Sequence, residues 1–243
     1  MRFATIFCRT NYIQYLCSLK ITTMTKLIIF DLDGTLLNTI GDLTNACNYV
    51  LQQHGFPLHT HDEYRYFIGS GIRRLIRLAL PEEYRTDDDF CRQILDEFIV
   101  RYNGHLHEET CPYEGIITLL KQLNAKGINI AVASNKYQEG VDAVVNFYFP
   151  DIKFVATIGT GPEVPTKPDP TIVNKIIELC PVEKNEILYL GDSNVDMVTA
   201  KNAGLTAIGV LWGFRTKKEL IESGADITIE KPEEIGSYIQ YKR

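Results

Sequence analysis

The stretch that most constrains this chain is residues 26–37, KLIIFDLDGTLL. An apolar run from Leu27 to Phe30 leads directly into Asp31 and Asp33. A short continuous apolar run with β-branched residues predicts a strand that is buried on both faces, as in a parallel sheet. The two aspartates then lie at the carboxyl end of that strand, where open α/β sheets place their ligand crevice.

The Asp31 and Asp33 pair has two interpretations. A carboxylate can attack phosphorus and form an aspartyl-phosphate. A second carboxyl two residues later could protonate the leaving oxygen and then deprotonate the attacking water. Two acids this close repel each other, which raises one pKa or recruits a cation. The alternative is a strand followed by an ordinary Asp-Gly turn at Gly34. On these residues alone, both interpretations stay open.

A helical block follows the first strand. Apolar residues at helical spacing predict three amphipathic helices, which begin near Ile40, Ile72 and Phe90. No convincing strand is predicted between Asn38 and Thr110. About 70 residues of helix are therefore expected between the first strand and the second.

Beyond this block, strands and helices alternate. Helices are predicted over residues 114–126, 138–147, 170–180, 195–203 and near 232–240, and strands over residues 128–133, 154–157, 187–190, 206–211 and 227–229. Such alternation favours a doubly wound parallel sheet. The predicted fold class is α/β, with a Rossmann-type core and a small inserted all-helical domain.

The composition excludes several classes of protein. The chain is 45% hydrophobic and 23% charged, and its net charge of −6 disfavours a nucleic-acid partner. No apolar run approaches the ~20 residues of a membrane span, so no membrane association is expected. Six scattered cysteines without CxxC spacing suggest a reducing compartment and a cytoplasmic location.

Residues 1–23 differ from the rest, because they carry Arg2, Arg9 and Lys20 but no acid. One interpretation is a targeting segment, although polar residues interrupt any apolar h-region. The other is a disordered or mis-assigned extension, with Met24 as the natural first residue, and this is the interpretation that we favour.

Two further motifs follow predicted strands or lie in stiff loops. Ser134 and Asn135 end a strand and could hold a phosphoryl oxygen, although Ser-Asn there is also an ordinary helix cap. Lys136 is interpreted as solvated. Lys167 lies between prolines, which limit where its ammonium can point; the alternative is a surface lysine. We favour the functional role for Lys167.

The last motif, YLGDSNVD, again places carboxylates at the end of an apolar strand. Asp192 follows Gly191 directly, and Asp196 lies one helical turn further on. Four acids that converge on one crevice would be costly without a cation, so a bound metal ion is expected.

Together these motifs resemble the haloacid dehalogenase-like (HAD) superfamily, and its phosphoglycolate phosphatase-like branch in particular. The resemblance covers residues 26–230 and rests on DLDGTLL, the Ser134 motif, KPDP and GDSNVD. It implies a HAD-like catalytic core formed by residues 24–38 and 111–243, and a helical cap domain formed by residues 39–110. Asn38-Thr39 departs mildly from the usual pattern.

The resemblance also implies roles for the site residues. Asp31 is the nucleophile and Asp33 the general acid/base, while Ser134, Asn135 and Lys167 bind the transferring phosphoryl group. Asp31, the backbone carbonyl of Asp33 and Asp192 hold Mg²⁺, and Asp196 orients ligands or Lys167. By this resemblance, the expected catalytic residues are Asp31, Asp33, Ser134 and Lys167. The expected metal ligands are Asp31, Asp33 and Asp192.

The predicted function is a Mg²⁺-dependent phosphatase that acts on a small phosphorylated metabolite, with phosphoglycolate as a candidate. A β-phosphoglucomutase-like phosphomutase or a pyrophosphatase on the same core stays open. A dehalogenase is disfavoured because a halide needs no acid such as Asp33, and the intact set of motifs argues against a binding protein on an inactive core. Arg73 or Arg74, which follow the Gly69-Ser70-Gly71 turn, could bind a substrate carboxylate, with Arg73 as the candidate that we name for this site; both also fit the solvated face of a helix.

Overall fold

The computed structural model describes residues 24–239. The interpretation of residues 1–23 as an extension lies outside the described residues. Within residues 24–239, no helix is long and apolar enough to cross a lipid bilayer.

Six parallel strands form the main sheet. They are β1 Leu27–Phe30, β4 Asn129–Tyr137, β5 Ala156–Thr160, β6 Ile187–Gly191, β7 Thr206–Val210 and β8 Ile227–Ile229. Their order across the sheet is β5-β4-β1-β6-β7-β8. The order reverses on either side of β1, as in a doubly wound sheet. The predicted α/β fold class is confirmed.

Nine α-helices occur among residues 24–239. They are α1 Ile40–Gln53, α2 His61–Phe67, α3 Ile72–Ala79, α4 Asp88–Asn103, α5 Ile116–Ala125, α6 Gln138–Tyr148, α7 Thr171–Leu179, α8 Asn194–Ala203 and α9 Lys217–Glu222. The predicted last helix is instead a 3-10 helix over Pro232–Ser237. The short helices α2 and α9 have no counterpart in the sequence prediction.

Helices α1 to α4 form one segment between β1 and β4, and we call them the cap helices. The chain enters this segment after β2, Leu37–Asn38, and leaves it at β3, Cys111–Pro112, and these two strands form an antiparallel pair. Next to it, the carboxylate of Asp42 accepts the backbone N–H groups of Glu109 and Thr110 at 2.8 and 3.0 Å. The entry and the exit of the segment are therefore tied together, while the division into core and cap domains stays a prediction.

The central strand β1 is buried on both faces, as its apolar run predicts. Ile28 and Phe30 belong to one apolar cluster, which continues into the cap helices. Leu27 and Ile29 belong to the second cluster, on the opposite face of the sheet. Since the strand is covered on both sides, only its carboxyl end is free to present polar groups.

Candidate active site

Strand ends meet at one edge of the sheet. Phe30 is the last residue of β1 to pair with its neighbours, opposite Val132 in β4 and Leu190 in β6. Parallel strands end at the same edge, where open α/β folds bind ligands. Asp31 after β1 and Asp192 after β6 therefore lie beside each other, and their carboxylate oxygens come within 4.8 Å.

Lys167 lies buried against this acidic edge. Its Nζ donates to Oδ1 of Asp31 and to Oδ1 of Asp196, each at 2.7 Å. It also donates to the Ala133 carbonyl at 2.9 Å and to the Tyr189 hydroxyl at 3.2 Å. A buried ammonium that is surrounded by acceptors in this way is fixed in position. The predicted proximity of Lys167 to the nucleophile candidate is therefore present.

Asp196 is held by the first turn of α8. The N–H and hydroxyl of Ser193 donate to its Oδ2 at 3.1 and 2.5 Å, while its own N–H donates to the Ser193 hydroxyl at 3.3 Å. This reciprocal arrangement is a capping box. A Cβ on Gly191 would lie 2.2 Å from the Cβ of Asp196, so only glycine fits there. Asp196 thus stands where it can orient Lys167.

Asp192 is fixed by two loops. Its Oδ2 accepts the backbone N–H of Phe214 at 2.7 Å, and its Oδ1 accepts the Thr35 hydroxyl at 3.3 Å. Gly34 has a φ of +88°, and a Cβ there would lie 2.3 Å from Oδ2 of Asp192. The glycine of the first motif is therefore required both for the turn and for the close approach of the carboxylate.

Burial and mutual repulsion dominate the electrostatics of this edge. Burial, and next the charge of Asp196, raise the pKa of Asp31 well above its ordinary value. The same two causes raise the pKa of Asp192 to about 7. Burial alone would lower the pKa of Lys167, but Asp196 and Asp31 outweigh it and raise that pKa. One ammonium therefore does not balance three carboxylates when all of them are ionised, and without a cation their neutral forms are favoured.

The site fits a divalent cation. Mg²⁺ usually takes one or two carboxylates and completes its octahedron with water and substrate phosphate. Carboxylate oxygens of Asp31, Asp192 and Asp196 all lie within 4.8 Å of one another. Asp196 accepts four hydrogen bonds from described residues, whereas Asp192 accepts two and Asp31 accepts one. Asp31 and Asp192 therefore keep more free lone pairs and are the carboxylates that suit the ion. The predicted third ligand, the backbone carbonyl of Asp33, stays a prediction.

The prediction that Lys136 is solvated is wrong. Its side chain is 1% exposed, and its Nζ donates to Oδ1 of Asp33 at 3.2 Å. The same nitrogen donates to the Tyr102 hydroxyl, 2.7 Å away, on cap helix α4. The physical reason is the length of β4: it runs to Tyr137, past the predicted end at residue 133, so residue 136 lies under the cap rather than in a surface loop. The hydroxyl of Ser134 accepts the Lys136 N–H at 3.1 Å.

The cap helices cover a cavity above Asp31 and Asp33, which Ser134 also lines. The cap residues around it are apolar or glycine: Leu43, Ile68, Gly69, Gly71, Ile72 and Leu75. Apolar groups close to the carboxylates exclude water, which strengthens the electrostatic interactions of the site.

Asn135 links this cavity to the cap. Its Nδ2 donates to the Gly69 carbonyl at 2.8 Å and to the Lys167 carbonyl at 3.2 Å. Its Oδ1 accepts the Lys167 N–H at 2.6 Å. The Asn135 side chain therefore braces the cap turn and Lys167, a role that the sequence did not indicate. Its predicted phosphoryl contact stays a prediction.

Arg73 lies apart from the carboxylates. It is exposed, and it lines a neighbouring cavity between the cap and the loop after β5. Gly71, Ile72 and Asn135 line both cavities and so connect them. The structure thus places Arg73 beside the reaction cavity, where its predicted substrate contact stays a prediction.

A family model for haloacid dehalogenase-like hydrolases matches residues 28–210, which is well over half of the chain. The chain belongs to the haloacid dehalogenase-like hydrolases. The family resemblance of the four motifs is confirmed, and the protein is a hydrolase.

Relatives of this hydrolase carry a narrower name. A Vibrio vulnificus protein named phosphoglycolate phosphatase is 30% identical over 212 residues, which cover 84% of this chain and 92% of the relative. A solved structure from Lactobacillus delbrueckii subsp. bulgaricus, assigned by prediction as a phosphoglycolate phosphatase, matches with a TM-score of 0.83 and 30% identity. It covers 90% of this chain and 100% of the neighbour.

The fold is also shared with a predicted β-phosphoglucomutase from Bacteroides vulgatus. The TM-score is 0.74 at 17% identity, with 96% of each chain covered. At that identity the similarity concerns the fold alone. The hydrolase fold therefore does not by itself separate a phosphatase from a mutase.

Arg215 forms a second link between core and cap, which the sequence prediction did not include. It donates to the carbonyl of Ile68 at 3.1 Å and to the carbonyl of Arg65, both at the end of cap helix α2. Its guanidinium also lies 5.0 Å from the centroid of the Tyr66 ring. Arg215 stands at the end of the segment Trp212-Gly213-Phe214-Arg215, which follows β7.

Proposed function

We propose that this hydrolase is a Mg²⁺-dependent phosphatase that cleaves a small phosphate monoester through an aspartyl-phosphate on Asp31. The observation that carries the proposal is that Asp31, Asp33 and Ser134 line one covered cavity. There the Lys167 ammonium donates a hydrogen bond to Asp31. The relatives named phosphoglycolate phosphatase support this class and make phosphoglycolate the first substrate to test.

In the proposed reaction, the Asp31 carboxylate attacks phosphorus in line with the ester oxygen that leaves. Asp33 protonates that oxygen, so the product departs as an alcohol. An acyl phosphate now joins Asp31 to the phosphoryl group. Asp33 then takes a proton from water, which attacks phosphorus, releases inorganic phosphate and restores the Asp31 carboxylate.

Lys167 and Ser134 serve the phosphoryl group. The Lys167 ammonium already contacts Asp31, so it is placed to stabilise charge on the equatorial oxygens during transfer. The Ser134 hydroxyl lines the same cavity and can donate to one of those oxygens, because its contact with the Lys136 N–H uses it as an acceptor.

Asp31 and Asp192 would hold Mg²⁺, with the Asp33 carbonyl as the third ligand that the family resemblance implies. When bound, the ion would supply positive charge that offsets the carboxylates and the phosphoryl oxygens. The raised pKa values of Asp31 and Asp192 support this assignment, because burial and then the charge of Asp196 disfavour their ionised forms, which a bound cation would stabilise.

A direct test is phosphate release from a panel of small esters, with phosphoglycolate and p-nitrophenyl phosphate among them, with and without a chelator. We expect turnover that stops on chelation and returns with added Mg²⁺. Ca²⁺ should substitute poorly, because it favours longer and looser coordination. Full activity after exhaustive chelation would refute the metal assignment. A mutase would instead move phosphate between positions of a sugar phosphate and release little of it.

A further inference from the structure

Two lysines are buried at the site, and the proposed reaction uses only one of them. Lys136 and Lys167, taken as whole residues, are each 3% exposed. Each contacts one aspartate of the first motif and one tyrosine hydroxyl: Lys167 contacts Asp31 and Tyr189, and Lys136 contacts Asp33 and Tyr102. A buried charge is costly unless it is paired, so a second buried lysine calls for a function.

The two arrangements differ in where the tyrosine comes from. Tyr189 belongs to core strand β6, whereas Tyr102 belongs to cap helix α4. Tyr102 is 0% exposed, and its ring stacks on Phe98 with centroids 5.4 Å apart. The Lys136 ammonium lies 4.6 Å from the centroid of that ring, in addition to the contact with its hydroxyl. The cap therefore supplies one of the two side-chain acceptors of the Lys136 ammonium.

We propose that Lys136 is a positioning residue that fixes the direction of the Asp33 carboxyl, and that Tyr102 completes this arrangement only when the cap helices are closed. The inference rests on the proposed function, because it assigns Asp33 the proton transfer to the leaving group.

The geometry explains why Asp33 needs such a partner. A group that first gives a proton to the leaving oxygen and later takes one from water has to keep one orientation through both steps. Lys136 holds Oδ1 of Asp33, which leaves Oδ2 for the proton. When the cap opens, Lys136 loses the Tyr102 hydroxyl and is free to turn. Proton transfer is thereby reserved for a cavity from which the cap has excluded water.

The dependence on leaving group distinguishes this role from a merely structural one. An alkyl ester needs its leaving oxygen protonated, whereas p-nitrophenolate leaves without a proton. Loss of Asp33 positioning should therefore lower kcat/KM far more for alkyl esters than for p-nitrophenyl phosphate. A variant that only loosens the fold lowers both equally.

The variants are Lys136→Met and Tyr102→Phe, assayed with Mg²⁺ on the best alkyl ester of the panel and on p-nitrophenyl phosphate. For Lys136→Met we expect about a 10- to 100-fold larger loss of kcat/KM on the alkyl ester. For Tyr102→Phe we expect a loss of kcat/KM that is several-fold larger on the alkyl ester. The effect is smaller than for Lys136→Met because this variant keeps the ring and the ion pair. Circular dichroism and thermal unfolding verify that each variant is folded.

Tyr189→Phe is the matched control, since it removes the hydroxyl from the other buried lysine. Lys167 faces the phosphoryl group that all esters share, so Tyr189→Phe should lower kcat/KM by the same factor for both esters. Equal losses in Lys136→Met and Tyr102→Phe would overturn the positioning role while leaving the phosphatase intact. If Lys136→Met does not fold, the selectivity of Tyr102→Phe decides. A wild-type protein that cleaves neither ester would overturn both this role and the proposed function.

Discussion

At the sheet edge, Lys167 contacts two carboxylates, a carbonyl and a hydroxyl, and these groups lie in elements of the core. Across the cavity, the cap contributes apolar side chains and is tied to the core by separate polar contacts at Gly69, Ile68 and Tyr102. On the core side, the hydrogen bonds form one buried network, so removing one member leaves several buried groups without a partner. On the cap side, the three contacts are made by three different residues, Asn135, Arg215 and Lys136, and we expect each to be lost without the others when the cap opens.

The largest effect is expected from breaking the core network. Lys167→Met would leave Asp31 and Asp196 buried without their cation. Removing one partner of a buried ion pair costs about 3–5 kcal/mol, because the other charge is left uncompensated. We expect a loss of this size in the free energy of unfolding, measured by urea denaturation at neutral pH, together with loss of turnover. A loss below about 1 kcal/mol, as for a surface pair, would show that the network is not coupled in this way.

The pH dependence of the metal-free protein tests the same network. The pKa of Asp192 is raised to about 7 in the fold, from 3.8, so the folded state binds the proton more tightly than the unfolded state. Its contribution to stability is therefore present below the unfolded pKa and is lost as pH rises through the folded pKa.

We expect the unfolding free energy of the metal-free protein to fall by a few kcal/mol between about pH 4 and 7 on account of Asp192. Asp192→Asn should flatten this decline, and Mg²⁺ should restore stability most strongly at pH 7 and above. Thermal unfolding across pH, with chelator or with Mg²⁺, measures both. A metal-free stability that rises through this range in wild type and variant alike would contradict the electrostatic account.

A smaller effect is expected on the cap side. Arg215→Ala removes the contacts to the carbonyls of Ile68 and Arg65. Hydrogen bonds to a charged group contribute about 1.5–3 kcal/mol, so kcat/KM should fall about tenfold or more as the cap spends more time open. Amide hydrogen exchange around Gly69 should quicken while global stability changes little.

Arg92→Ala is the matched control for that variant. Arg92 pairs with Asp89 on the exposed face of α4, at 3.4 Å. It should leave both kcat/KM and exchange near Gly69 unchanged. If Arg215→Ala destabilises the whole fold as much as Lys167→Met does, the contrast between core and cap is wrong.

The smallest expected effect concerns Arg73, which lies on the wall of the neighbouring cavity. Arg73→Ala should lower kcat/KM for a carboxylated ester by a few-fold relative to an uncharged one, since an exposed charge pair contributes about 0.2–1 kcal/mol. Arg74→Ala, which removes the same charge one residue on, should affect the two esters equally. Equal effects in both variants would leave Arg73 as surface charge.

The sequence predicts most of the core fold because buried parallel strands are continuous apolar runs. It misses helices α2 and α9, in which Tyr64 and Leu220 respectively are the only buried residues, so neither has an apolar stripe. Each nevertheless begins with a capping box, from Thr60 and Thr216, which is a signal that could have located both. The predicted strand at residues 154–157 begins two residues later, at Ala156.

In the site, the sequence identifies residues that directly follow strands, such as Asp31 and Asp192. It does not identify the side-chain contacts between the cap helices and the residues at the carboxyl end of β4. Tyr102 fits the apolar face of its helix and gives no sign of its hydroxyl contact with Lys136, which is 34 positions away. Lys136 itself is misjudged because the strand is predicted to end too early. The carboxylates at the sheet edge can thus be located from the strands that precede them, whereas the contacts of the cap helices depend on the tertiary fold.

The most direct test of the central claim is to trap the phosphoryl group on Asp31. The protein would be mixed with Mg²⁺ and its best substrate, quenched in acid and reduced with borohydride, which converts an aspartyl-phosphate to homoserine. Peptide mass spectrometry then locates the change. We predict homoserine at position 31, dependent on substrate and absent from Asp31→Asn. Rapid turnover with no reduction at position 31, or with reduction at another residue, would contradict Asp31 as the nucleophile.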